Sequence, residues 1–267
     1  MKQYGLLGFP LSHSFSSKYF NEKFEEESID ASYQNFAIPS ITEFPRIIAD
    51  NLNLLGLNVT IPYKQAIIPY LNSLDAEAAA IGAINVIRIK RDGNKKPYLY
   101  GCNTDLIGFR ESIRPYVESI RNNIMAKSGD ISKDTNRTIK ALILGTGGVS
   151  KAIEYGLKQL SVETIFVSRT PSPGRLTYYQ LNESNYNEYS IIVNATPLGM
   201  TPDVDTCPPI AYDAIGPDHL LFDAVYNPEK TLFLKKGEEQ GATIKNGLEM
   251  LYLQAEAAWE IWNSERD

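Results

Sequence analysis

Residues 141–152 read Ala141-Leu142-Ile143-Leu144-Gly145-Thr146-Gly147-Gly148-Val149-Ser150-Lys151-Ala152, and this stretch decides the fold. An apolar run bounded by glycine is the pattern of a strand buried on both faces of a parallel sheet. The glycines permit a tight turn and let backbone N–H groups approach a ligand. A helical pattern follows, and a helix presents the positive end of its dipole there, a combination that binds phosphate. The spacing is Gly-x-Gly-Gly, with Ser150 where a third glycine would complete the dinucleotide fingerprint and Ala152 small enough for close helix–strand packing. A phosphate-binding P-loop fails twice. Ser150 replaces its second glycine, and Ala152 replaces the Ser/Thr that holds magnesium. Taken alone, the stretch is either a dinucleotide turn or a strand–turn–helix without a ligand.

Working outward, Thr164-Ile165-Phe166-Val167 forms a second strand ending in Ser168-Arg169-Thr170. In open dinucleotide-binding sheets this point faces the adenosine ribose, where an acid suits the 2′-hydroxyl of NAD and a base the 2′-phosphate of NADP. Arg169 without a neighbouring acid points to NADP; by itself it is equally a solvated surface arginine. Residues 171–188 are rich in Pro, Ser, Tyr and Asn and read as irregular surface. Strands follow at Ile191–Val193, leading into Asn194-Ala195-Thr196, and at Leu220–Tyr226. Then come a helix over Thr231–Gln240 and a last strand at Ala242–Ile244. This order predicts a twisted parallel sheet with helices on both faces. A final helix over Leu248–Trp262 carries Leu248, Leu251, Tyr252, Ala255, Trp259 and Trp262 at helical spacing, read as core, with Gln254 the polar position beside them.

The N-terminal half is a second α/β region. A strand at Tyr4–Leu7 leads to Gly8-Phe9-Pro10-Leu11-Ser12-His13-Ser14-Phe15-Ser16 and a polar helix over Asn21–Glu27. Ser14 and Ser16 either cap that helix or hold a substrate carboxylate. Residues 32–38 form a strand, and Ser40-Ile41-Thr42-Glu43 is a capping box. The strand through Leu57 ends at Asn58-Val59-Thr60, with Pro62 suited to the first turn of a helix and Lys64 following it. Ser73–Ala80 reads as a helix, Ala83–Ile89 and Tyr98–Tyr100 as a hairpin turned at Asp92-Gly93-Asn94, and Asn103-Thr104-Asp105 as a helix cap. Three strand ends, at Thr60, Asn85 and Asp105, thus offer polar groups where ligands bind in α/β sheets. The next helix runs from Leu106 to about Arg121 with Pro115 as a candidate break, and much of 122–140 reads as a mobile loop between the two halves.

The 267 residues form one large domain or two, with a net charge of −6 that argues against nucleic-acid binding. Two cysteines make no disulfide framework and suit a reducing cytoplasm. Neither a metal-ligand cluster nor a signal or membrane-spanning run is apparent, so a cytoplasmic protein without bound metal is expected.

Together these motifs resemble the shikimate dehydrogenase family along nearly the whole chain. The motifs are His13-Ser14-x-Ser16, Asn58 to Lys64, Gly82 to Asn85, Gly101 to Asp105, Gly145 to Ala152, Ser168-Arg169-Thr170, Asn194-Ala195-Thr196 and Gly247 to Gln254. The resemblance implies a substrate domain of residues 1–105 completed by 247–267, a Rossmann-like NADP-binding domain of residues 106–246, and a cleft between them. It implies reversible NADP-dependent reduction of 3-dehydroshikimate to shikimate by a monomer or homodimer. Lys64 and Asp105 would be the catalytic pair, Ser14 and Ser16 would hold the substrate carboxylate, and Thr60, Asn85, Asp105 and Gln254 the ring hydroxyls. Gly145, Thr146, Gly147, Gly148, Val149, Ser168, Arg169, Thr170, Ala195, Thr196, Val225, Tyr226 and Gly247 would hold the cofactor. Three departures stand out: Val86 where the family has threonine, Ser168 for asparagine, and Pro173 at the second basic position, with Arg175 two residues later. The alternatives are a quinate/shikimate dehydrogenase with relaxed cofactor use, and a catalytically silent sensor of cofactor or shikimate on the same fold.

Overall fold

The computed structural model describes residues 1–11, 15–93, 96–128 and 138–264. The chain divides into two compact units, Met1–Thr104 with Ala255–Asp267, and Asp105–Gln254. In the first, β1 (Lys2–Gly8), α1 (Phe15–Glu26), β2 (Ala31–Ala37), α2 (Phe44–Asp50) and β3 (Leu54–Val59) are followed by β4 (Ser73–Leu74), α3 (Ala76–Ile81) and the hairpin of β5 (Val86–Lys90) and β6 (Tyr98–Cys102). The sheet order is β2-β1-β3-β5-β6-β4; β1 runs parallel to β2 and β3, and β5 antiparallel to β3 and β6. Side chains alternate between the faces of a strand. Tyr4 and Leu6 of β1 accordingly join a cluster with Phe20, Phe24, Tyr33 and Trp262, while Leu7 joins Leu57, Val59 and Ile87 on the opposite face.

The second unit opens with the long α4 (Thr104–Ser128), whose first residue still belongs to the first unit. Then come β7 (Ile139–Leu144), α5 (Gly148–Gln159), β8 (Val162–Ser168), β9 (Arg175–Thr177), α6 (Tyr178–Asn182), β10 (Ile191–Asn194), β11 (Leu220–Asp223), α7 (Leu232–Glu239), β12 (Thr243–Lys245) and α8 (Leu248–Asn263). The order β12-β11-β10-β7-β8-β9 is parallel throughout. Numbered from β7, this is the doubly wound order 3-2-1-4-5-6, with its switch point between β7 and β10. Ala141 and Ile143 pack with Phe109, Ile113 and Leu157 on one face, Leu142 and Leu144 with Val167, Phe233 and Leu234 on the other. The predicted parallel sheet, buried on both sides, is therefore what forms.

Several local expectations change. The helix over Pro115 does not break: α4 continues to Ser128, because Phe109, Ile113 and Val117 recur every fourth residue and are fully buried in one core. Residues 122–128, read as linker, belong to it, and 129–137 lie outside the described residues. Residues 171–188 are ordered as β9, α6 and a 3₁₀ turn; Thr177 and Gln180 make a reciprocal capping box that starts α6. No α-helix starts at Pro62; a 3₁₀ turn at Ile68–Tyr70 follows. The Lys64 carbonyl accepts from Ile84 N–H at 2.7 Å, which diverts it from a helical ladder. Ser40 caps a 3₁₀ turn through Thr42 N–H, and α2 begins only at Phe44. On α8, Leu248 and Tyr252 are exposed; the buried face is Met250, Gln254, Ala255, Ala257, Ala258 and Trp262. No helix among the described residues is long and apolar enough to cross a membrane.

Candidate functional site

In the first unit, three predicted residues meet at the carboxyl end of β3. Thr60 N–H continues the ladder to Leu7 O at 2.9 Å, Tyr63 N–H turns back to Thr60 O, and the Lys64–Ile84 bond ties the Lys64 backbone to the residue preceding Asn85. Val59 N–H donates to Asn85 O at 2.8 Å. Asn85, 3% exposed, exchanges two bonds with Thr104: Thr104 N–H donates to its Oδ1 at 2.6 Å, and its Nδ2 donates to Thr104 Oγ1 at 3.0 Å. Thr60 and Lys64 are half-buried.

Ser16 reaches the same region through a chain of side chains. Its hydroxyl bonds the buried Tyr33 phenol, Tyr33 donates to Asn58 Oδ1 at 2.8 Å, and Asn58 Nδ2 donates to Asn85 O at 3.4 Å. Burial pushes the Tyr33 phenol well above its usual range, so it acts as a neutral hydrogen-bonding bridge. Ser14, like His13, lies outside the described residues.

In the second unit, Asp105 sits in the first turn of α4, where a carboxylate suits the helix dipole; it is 6% exposed. Gln254, 9% exposed, lies on the stretch of α8 that crosses α4 at Gly108. A Cβ on Gly108 would fall 2.4 Å from Met250 O and 3.0 Å from Gln254 Cβ. The absent side chain thus brings Gln254 to the helix face one turn beyond Asp105.

The glycine turn follows β7. Gly145 adopts φ +108°, and a Cβ there would meet Thr196 Cγ2 at 2.9 Å and Ala195 O at 3.2 Å. The turn and the Ala195-Thr196 segment therefore rest against each other at the switch point. Gly147 caps α5 without a side-chain hydrogen bond, and a Cβ on it would meet nothing within 4 Å. Open space before an uncapped, twelve-residue helix fits a pyrophosphate held on backbone N–H groups. Gly147, Thr146 and Arg169 are exposed, Gly148, Val149 and Ser168 half-buried, and Ser168 Oγ donates to Thr170 O at 2.5 Å. Burial raises the Tyr178 phenol, and the nearby Arg169 offsets part of that rise. Arg175, the alternative base, pairs in register with Phe166, two residues before the end of β8, and its guanidinium lies 5.8 Å from that ring's centroid. Val225 is buried, Tyr226 half-buried, and Gly247 N–H donates to Val225 O at 3.2 Å.

Asp223, the last residue of β11, is a further functional candidate that the apolar pattern of its strand does not mark. Desolvation pushes its carboxyl up to about 6, although Thr231, Val225 N–H and Asn194 all donate to it. Its signal lies in the local pattern: a carboxylate at a strand end, two residues before the next backbone donor and eight before a helix-capping threonine. A groove of about 1020 Å³ opens at the opposite end of this sheet, where β7, β8 and β12 begin, and none of the predicted residues lines it.

A family model for the shikimate dehydrogenase substrate binding domain matches residues 6–87. The shikimate dehydrogenase (NADP(+)) of Desulforamulus reducens is 32% identical over 277 residues, covering 97% of this chain and 88% of that protein. That of Methanosphaera stadtmanae is 35% identical over 277 residues, covering 97% and 90%. Among solved structures, the shikimate 5-dehydrogenase of Thermus thermophilus in complex with NADP(H) and shikimate aligns with a TM-score of 0.77 at 27% identity, over 98% of this chain and 94% of that one. With these likenesses running the length of both units, the chain belongs to the shikimate dehydrogenase family.

Proposed function

We propose that this protein catalyses the reversible, NADP-dependent reduction of 3-dehydroshikimate to shikimate, a step in aromatic amino-acid biosynthesis. The observation that carries it is the meeting of Thr60, Lys64 and Asn85 at the end of β3 in a chain of this family. When bound, the nicotinamide supplies or accepts the hydride. As a ring ketone is reduced, negative charge gathers on its oxygen. The Lys64 ammonium stabilises that oxygen and gives it a proton; in the oxidation of shikimate, the neutral amine takes the proton back. Asp105 orients Lys64 and accepts from a ring hydroxyl. Thr60, Asn85 and Gln254 fix the remaining hydroxyls, and Ser14 and Ser16 donate to the substrate carboxylate. The N–H groups of Gly145 to Val149 take the pyrophosphate, while Ser168, Arg169 and Thr170 surround the 2′-phosphate. Ala195, Thr196, Val225, Tyr226 and Gly247 line the rest of the cofactor site. With Pro173 at the usual second basic position, Arg169 carries the NADP preference, alone or with Arg175 beside it. The enzyme works in the cytoplasm, as a monomer or homodimer.

Steady-state oxidation of shikimate and of quinate, each with NADP and with NAD, tests this. Shikimate with NADP is expected to give the highest kcat/KM, by at least about tenfold or roughly 1.4 kcal/mol of transition-state discrimination. Preferred turnover of quinate or NAD would reject it in favour of the relaxed enzyme. Binding of shikimate or NADP without any turnover would make the protein a sensor.

A further inference from the structure

Asp223 is 0% exposed, so its carboxylate cannot touch a ligand, yet the donors converging on it come from segments flanking the cofactor loops. Its Oδ1 accepts from Asn194 Nδ2 at 3.0 Å and from Val225 N–H at 2.9 Å; its Oδ2 accepts from Thr231 Oγ1 at 2.5 Å. Asn194 passes the constraint on. Its Oδ1 accepts from Thr196 N–H at 3.0 Å and from Thr196 Oγ1 at 2.6 Å, and its Nδ2 also reaches Leu198 O at 3.2 Å. The Thr196 methyl is the atom that a side chain at Gly145 would strike. One carboxylate thus connects the ends of β10 and β11 and, through Thr196, the glycine turn after β7.

A carboxylate withdrawn from water is a costly way to close the end of a sheet, since apolar groups of the same shape would do so without the desolvation penalty. Its return is orientation. An ionised carboxylate accepts only, so it fixes which way the Asn194 amide faces. That in turn leaves Asn194 Oδ1 pointing at Thr196. We propose that Asp223 is a positioning residue for the cofactor: it sets the Asn194–Thr196 turn and the Val225–Tyr226 segment in the arrangement that receives NADP. This rests on the function proposed above.

The test is direct titration of NADPH, read by its fluorescence on binding, with the thermal midpoint of each protein measured alongside. Asp223→Asn should raise the NADPH Kd about tenfold, the weakening that goes with loss of one hydrogen-bonded constraint, and leave the KM for shikimate within about twofold. Asn194→Ala cuts the link to Thr196 while keeping Asp223 on Val225 and Thr231, and should weaken NADPH similarly; it carries the test if Asp223→Asn does not fold. Thr231→Val removes the donor on the far side of the carboxylate, and should lower the thermal midpoint while leaving the NADPH Kd within about twofold. An unchanged NADPH Kd in Asp223→Asn and Asn194→Ala overturns the positioning role, as does an equal weakening in Thr231→Val, which would make the effect one of stability alone. If the wild-type protein does not bind NADPH, the proposed function falls, and this inference with it.

Discussion

Asp223 also makes a prediction about the stability of the ligand-free protein. Burial raises its carboxyl to about 6, against about 3.9 in an unfolded chain. The folded form therefore holds the proton more tightly than the unfolded form. This contribution to stability is fully present below the unfolded value and is lost as pH rises through the folded one. A shift of about two pK units is worth roughly 3 kcal/mol over the full range. Between about pH 5 and about pH 7.5 the same linkage gives about 1.4 kcal/mol. Urea unfolding of wild type and Asp223→Asn at both pH values isolates the term, because every other titrating group cancels in the difference between the two proteins. On going to the higher pH, the wild type should lose about 1.4 kcal/mol more than the variant. Equal pH dependence in the two would show that Asp223 does not titrate in this window. The opposite sign would mean that the donors from Thr231, Val225 and Asn194 outweigh its burial.

Lys64→Ala should lower kcat by about 10²- to 10⁴-fold with KM for shikimate within a few-fold, the mark of a group acting in the transition state; steady-state turnover within a few-fold of wild type would refute the role. Arg169→Ala should raise KM for NADP by roughly ten- to a hundredfold, as loss of a charge-assisted contact does, and leave KM for NAD nearly unchanged; equal effects on both cofactors would reject the 2′-phosphate contact. Gly56→Ala should destabilise the first unit by about 2–4 kcal/mol, read by urea unfolding. A Cβ there lies 2.4 Å from Trp262 Cδ1 and Nε1, and moving the indole breaks its 3.1 Å bond to Ile87 O. A loss under about 0.5 kcal/mol would mean that the ring shifts without breaking it.

What the sequence discloses is what is local and periodic. The run Ala141–Leu144 followed by glycines identifies β7 and its turn because burial on both faces, the turn and the helix start are all written in adjacent residues. Polar residues directly after apolar runs likewise mark the ends of β3 and β8. Strand order is different in kind. Nothing in the run Val162–Ser168 says that its strand lies on one side of β7 while β10 lies on the other. That is settled by crossover handedness and by which helices cover which face. Local signals are also overruled: Pro115 argues for a break, and the buried ladder of Phe109, Ile113 and Val117 carries α4 through it. In residues 171–188 the composition masked a capping box at Thr177 and Gln180 that was there to be read. On α8 the predicted core face holds at Ala255, Trp259 and Trp262, whereas Leu248 and Tyr252 face outward and Ala257 and Ala258 are buried instead.

Candidate ligand contacts were easier to find than the residues that hold them. Thr60 and Lys64 are half-buried and follow a strand closely enough to be picked out by position, whereas Thr196 and Tyr226, also half-buried, enter through the resemblance. Asn58, Asn194 and Asp223 are buried, and their partners stand in other segments: Asn58 joins Tyr33 to Asn85 across 25 and 27 residues, and Asp223 reaches Asn194 across 29. No periodicity links such positions. Yet the physical reason for their burial is general. A hydrogen bond between groups shielded from water is stronger and more directional than one at the surface, and an unpaired polar group there costs about 1–3 kcal/mol. A turn held by a buried amide or carboxylate therefore has one low-energy arrangement rather than several, and less ordering remains to be done when a ligand arrives. It follows that the effect of a substitution should divide by burial. Changing Lys64 should alter the rate of a protein that remains as stable as before. Changing Asp223 should alter stability and cofactor affinity together, while the chemistry of whatever complex still forms is preserved.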